Sequence, residues 1–173
     1  MLEVARSRTP ANVELRLAGA EALPFPEDSQ ERVVMRLVVH LIDRPQAFRE
    51  ARRVLGPGGM LAIATFDPGS FEDSWLNRFF PSIAAIDGER FPAPGRLSTE
   101  LSRSGFDVRL VRLEQTATFT REQALEKIRG KHIGTFDLIP DREYEEGLGR
   151  AVGELPERVV AVMRWVVAIA TVD

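Results

Sequence analysis

The hydrophobic pattern is most informative between Gly19 and Phe66. Val33 to Val39 is apolar except for Arg36 and reads as a strand. From Pro45 to Leu55 the period changes: Phe48, Ala51 and Leu55 share one helical face, and Arg49, Glu50, Arg52 and Arg53 point away from it. A Gly-Pro-Gly-Gly corner follows, in which Gly56 is expected at the helix C′ position and Gly58 in a turn, both tolerating positive φ. Met60 to Phe66 is then an almost unbroken apolar run, the pattern of a parallel strand buried on both faces.

Outside this block the periods are shorter. Met1, Leu2 and Ala5 share a helical face that ends at Thr9-Pro10. Val13, Leu15 and Leu17 alternate with Glu14 and Arg16, which predicts a strand with one polar face near a sheet edge. Residues 69–95 lose periodicity and gain proline and glycine, so they read as a lid containing a short helix from Glu72 to Phe80. A helix over Leu97 to Ser104, stopped by Gly105, precedes a long strand from Phe106 to Phe119. Thr120 with Gln123 forms a capping box for a helix from Arg121 to about Arg129. Asp141 is expected to cap another helix reaching about Glu154, and Val159 to Val172 forms the last strand. Residues 120–156 are therefore a helical insertion before that strand.

Composition narrows the classes. A 173-residue chain that is 44% hydrophobic suits a single domain. The formal net charge of −3, with bases interspersed among acids, offers no footprint for nucleic acid, and Arg49, Arg52 and Arg53 read as a solvated helix face. The absence of cysteine removes disulfides, thiolate metal sites and cysteine nucleophiles. His132 has no second ligand at metal spacing, so no metal site is expected. The longest apolar runs, near Val159 and Trp165, are split by Arg164 and are too short to span a bilayer. The expectation is a soluble, cytoplasmic chain with no membrane partner. Gly147, Gly149 and Gly153 imitate a phosphate-binding loop, but they fall inside a helical pattern, where close packing is the better reading.

AEALPFPEDS, then His40 and Asp43, then RVLGPGG opening a buried strand, resemble the middle of the class I S-adenosylmethionine-dependent methyltransferases, in the type 11-like branch acting on small molecules. The resemblance covers most of Met1 to Val111 and continues more loosely to the end. It implies an α/β fold, a Rossmann-like three-layer α/β/α sheet that is mostly parallel with an antiparallel C-terminal strand. The strand at Val33 would end near Arg36, and the strand at Met60 would lie between it and the strand near Trp165. MLEVARSRTP matches the helix after the family's second strand, so the sheet is expected to be N-terminally truncated, lacking the strand, glycine-rich loop, helix and strand that hold the methionine and ribose parts of the cofactor. Whether that unit is absent naturally is left open by the sequence.

By the same resemblance, the cofactor S-adenosylmethionine would meet Gly19, Ala20 and Glu21 near its adenine, with Leu23 beneath the ring and Arg36 and Leu37 near the methionine amine. Many relatives carry Asp at the position of Gly19, so an acceptor for the adenine amine is missing. Binding is therefore expected to be impaired. His40 could face the acceptor and take a proton, or simply cap a loop. Thr65 and Phe66 end the strand facing the cleft, and Phe71, Trp75 and Phe79 either wall an apolar small-molecule acceptor or are buried as ordinary helix residues. Two functions follow: a methyltransferase, incomplete as this chain, or a non-catalytic relative kept as a binding or dimerising module. A nucleotide-binding oxidoreductase is more distant, because it too would lack its glycine fingerprint. In the family's strand order the absent strands separate those at Val13 and Val33, so either these two pair directly or the edge at Val33 to Arg36 takes another chain, giving a homodimer. The acceptor, the methylated atom and the oligomeric state are not legible in the sequence.

Overall fold

The computed structural model describes residues 5–172. The helix expected from Met1 and Leu2 falls largely outside them. Four strands, β1 (Gln30–Arg36), β2 (Leu55–Phe66), β3 (Asp107–Thr120) and β4 (Arg158–Thr171), form one sheet in the order β1-β2-β4-β3. β1 runs parallel to β2, whereas β4 is antiparallel to both neighbours. Three strands therefore share a direction and the C-terminal strand is inserted against them, with the Met60 segment between the strands of Val33 and Trp165.

Helices α1 (Arg44–Val54) and α3 (Pro94–Arg103) pack on one face. Phe48 and Ala51 from α1 and Leu97 and Leu101 from α3 meet Met35, Leu61, Ile63, Ala168 and Ala170 in the main core. Asp43 caps α1 by accepting from the Gln46 N–H, and Arg44 reaches across to Glu100 of α3 at 2.6 Å. Burial pushes the Glu100 carboxyl up, but hydrogen bonds from Arg44 and Arg96 outweigh it and hold the group below its ordinary range.

A second core lies under α2 (Ser82–Arg90), α4 (Arg121–Arg129) and α5 (Asp141–Glu154), where Phe79, Phe80 and Ile83 meet Ala124, Ile128, Phe136, Ala151 and Val159. The β3–β4 register is unbroken, so Val159 points to the face opposite Ala168 and Ala170. The helical layers are thus staggered: one covers the near end of the sheet from one side, the other covers the far end of the β3–β4 ribbon from the opposite side.

Several expectations are corrected. β2 alternates buried Leu61, Ile63 and Thr65 with half-buried Met60, Ala62, Ala64 and Phe66, so its second face is not fully covered. An apolar run cannot by itself report how many layers cover it. Val13 to Leu17 forms no strand and does not pair with β1; Val13 and Leu17 are 49% and 86% exposed. There Arg16 engages Glu14 at 2.7 Å and lies over Phe25, interactions that need no ladder. Gly58 takes a φ of 72° as expected, but Gly56 is not among the residues of positive φ, because α1 ends with Leu55 already extended and the chain passes directly into β2. The Glu72 to Phe80 helix is two 3₁₀ turns, Pro68–Asp73 and Trp75–Arg78, with α2 following them. Pro140, not Asp141, occupies the cap position of α5; Asp141 sits in the first turn, where its charge suits the helix dipole. The Thr120–Gln123 capping box is present.

Candidate methyl-acceptor site

Parallel strands deliver their carboxyl ends to the same rim of a sheet, and connections leaving that rim are where α/β folds place ligands. Here the rim is made by Arg36 of β1 and Phe66 of β2. Leu37, just beyond β1, adopts φ 50°, a left-handed conformation that costs a branched residue energy, and its N–H donates to Ala64 O at 2.9 Å. That turn aims residues 37–40 over the strand ends.

Around the rim an aromatic cluster has assembled. Phe66 lies 4.4 Å from Trp165, its register partner in β4, and 6.4 Å edge-on from Phe71. Phe91, directly after α2, sits 5.1 Å edge-on from Phe71 and stacks on His40 with centroids 4.0 Å apart. The Arg36 guanidinium lies over the Trp165 ring at 5.4 Å. Burial, reinforced by Arg90, pushes the His40 imidazole down to about 4, so at neutral pH it is uncharged and offers a ring nitrogen as a hydrogen-bond acceptor rather than as a strong base. Its Nδ1 is buried without a hydrogen-bond partner, as is Oγ1 of the fully buried Thr65. Buried polar atoms are rarely left unpaired, so the Nδ1 atom at the aromatic cluster marks a position suited to another polar group, whereas Thr65 Oγ1 lies on the other face of β2.

The residues singled out in the sequence are distributed unevenly. His40, Phe66 and Phe71 come together, and Arg36 joins them through Trp165. Thr65 faces the opposite side of β2 from Phe66, beside Val166. Trp75 packs half-buried against the second core, and Phe79 lies inside it at 2% exposure, so neither ring belongs to the aromatic cluster at the rim. The loop with Gly19, Ala20, Glu21 and Leu23 is pinned to α1. Glu21 accepts from the Asp43 N–H at 2.9 Å, and Leu23 N–H donates to Glu50 at 2.8 Å. Arg53 donates to Phe25 O at 2.9 Å, so it is a loop anchor as well as part of a helix face. Gly19 is exposed and Ala20 packs against the main core.

Trp165, Phe91 and Arg90 carry no motif. Trp165 became a neighbour of Phe66 only through sheet register, although the Phe-Pro at 91–92 does signal an extended residue after a helix. A groove of about 540 Å³ lined by Thr120, Arg121, Leu125 and Arg158 lies elsewhere, at the far end of the β3–β4 ribbon. It is an open surface feature beside a capped helix start and brings no buried polar atom into play. Among the described residues no group of acidic and histidine side chains could hold a metal ion, and no helix is long and apolar enough to cross a membrane.

Comparison with known proteins finds methyltransferases. A family described as a methyltransferase domain matches residues 1–63. A demethylmenaquinone methyltransferase from Thermus thermophilus is 32% identical over 132 residues, spanning 63% of this chain and 60% of that protein. Methyltransferase GfsG from Streptomyces halstedii is 45% identical over 69 residues, 36% of this chain and 25% of that protein. The chain therefore spans less than two thirds of the length of these relatives. In structure, a putative methyltransferase from an antibiotic biosynthesis pathway of Anabaena variabilis superposes with a TM-score of 0.76 at 20% identity, covering 95% of this chain and 77% of that one. The fold is the Rossmann-like one of class I methyltransferases. Residues 1–63 are thus similar to a methyltransferase domain, and the chain as a whole shares the fold of those enzymes.

Proposed function

We propose that this chain carries the acceptor side of a methyltransferase for a small apolar or aromatic molecule, in which His40 orients the acceptor by a hydrogen bond. The observation carrying this is the joining of an uncharged, partnerless imidazole to Phe66, Phe71 and Phe91 at the carboxyl ends of β1 and β2. S-adenosylmethionine, when bound, supplies an electrophilic methyl group on sulfur. Residues 19–23, held on α1, and the turn at Leu37 are the groups that would hold the adenine and methionine-amine ends of that molecule. Among the described residues no strand leads through a glycine-rich turn into a helix, and no acidic residue ends β1 to hold ribose hydroxyls.

Transfer needs alignment and exclusion of water more than a strong base. The aromatic walls would supply the dry surface, and the uncharged His40 would orient the acceptor by a hydrogen bond, while S-adenosylmethionine, when bound, would supply the methyl group. The 173-residue chain on its own is expected to bind the cofactor weakly, because a missing charged hydrogen-bond partner for ribose costs about 1.5 to 3 kcal/mol, roughly tenfold to more than a hundredfold in affinity. Calorimetric titration of the purified chain with S-adenosylmethionine checks this. Micromolar binding by a monomer would show that other residues replace the glycine loop.

A second reading, a non-catalytic binding or dimerising module, is favoured by one observation: β1 is an edge strand whose Val34 is 72% exposed.

A further inference from the structure

We propose, resting on the reading of this rim as an acceptor site, that Phe91 is a positioning residue that fixes the plane of the uncharged His40 imidazole for a hydrogen bond to the acceptor. Three features of the chain deliver its ring. The Phe91 N–H closes α2 by donating to Asp87 O at 2.9 Å, its backbone then turns extended at φ −81° and ψ 131°, and Pro92 disfavours any return to helix. The side chain is 8% exposed and lies on His40 with 16° between the ring planes. Phe71, edge-on at 5.1 Å, leans on the same ring. An imidazole stacked in this way has its plane fixed, and its Nδ1, although buried, is paired with no group of the fold.

The stack also explains why the imidazole resists charge. One of its faces is covered by a hydrocarbon ring rather than water, and the charged group that reaches it is Arg90, a cation. Arg90 is itself held at 3.4 Å by Asp87 and Thr135. Arg44, arriving from α1, is engaged by Glu100 and Val39 O, and Arg36 is turned onto Trp165. No carboxylate hydrogen-bonds to His40 among the described residues, so its neutrality comes from burial and Arg90, with Phe91 covering one face and fixing the ring plane.

Nuclear magnetic resonance of the imidazole in the purified chain tests this. In the wild type the His40 ring protons should show an upfield ring-current displacement and titrate near 4. Phe91→Leu, which keeps the bulk but not the flat ring, should abolish the displacement and move the midpoint toward 6.5, whereas Phe91→Tyr should preserve both. Undisplaced His40 protons in the wild type would overturn the proposal without any variant, so a Phe91→Leu chain that fails to fold does not shelter it. Methyl-transfer assays on the same proteins separate the two levels. Turnover lost with the ring displacement supports the positioning role; turnover unchanged while the displacement is lost overturns it. Turnover that survives His40→Ala, with the wild-type ring shifts intact, overturns the reading of this rim as the acceptor site, and the catalytic meaning of the stack with it.

Discussion

His40 is uncharged in this fold because its surroundings cannot solvate an imidazolium. Its value near 4 lies below the ordinary 6.5, so between those limits the unfolded chain binds a proton that the folded chain refuses. Its contribution is therefore fully present above about pH 6.5 and is lost as pH falls toward 4. Chemical denaturation of the wild type and His40→Gln at pH 7 and pH 5 should show the wild type losing more stability on acidification. Equal losses would mean that the imidazole is not held neutral. The histidine itself was legible from its place after an apolar strand. Its environment was not, because the groups that set it, Phe91 and Arg90, lie some 50 residues away.

At the scale of elements, the lid is less free than its proline-rich sequence suggests. Glu143 of α5 accepts from the Ser82 N–H and hydroxyl at 2.9 and 2.6 Å, so a carboxylate from the helical insertion caps α2. Gly147 of the same helix lets α5 approach so closely that an added Cβ would lie 2.4 Å from the Phe80 ring and 2.6 Å from Phe79 O. Gly149 and Gly153 have open space at that position, so only the first of the three glycines serves packing. Gly147→Ala should destabilise the chain by about 1 to 3 kcal/mol, as overpacking does, while Gly149→Ala should not. Thermal melts of the two variants check this; equal melting temperatures would show that the lid and the insertion are loosely joined. The helices α1, α3, α4 and α5 were each readable from apolar spacing and end signals, since those act within a few residues.

For the whole molecule, the decisive feature is the unfinished side of the sheet. β1 presents its outer backbone edge, and Val34, Met60, Ala62, Val167 and Ile169 share a face that belongs to neither core. Open apolar edges invite strand addition. The purified chain is expected to self-associate through β1 as concentration rises, and Val34→Lys should shift sedimentation velocity profiles back to monomer. A wild-type chain that stays monomeric at high micromolar concentration would remove the dimerising reading.

The sequence by itself determined the class of fold, the position of β1, α1 and β2, the capping box at Thr120 and the histidine at the rim, because helix spacing, caps and the run of short blocks are local properties of the chain. Tertiary structure alone decided that Trp165 faces Phe66, that Phe91 covers His40, that Phe79 belongs to a core and that Val13 to Leu17 is no strand. Those outcomes depend on register and on which partners are available to pair or pack, and a strand without a neighbour to complete its hydrogen bonds has no reason to form.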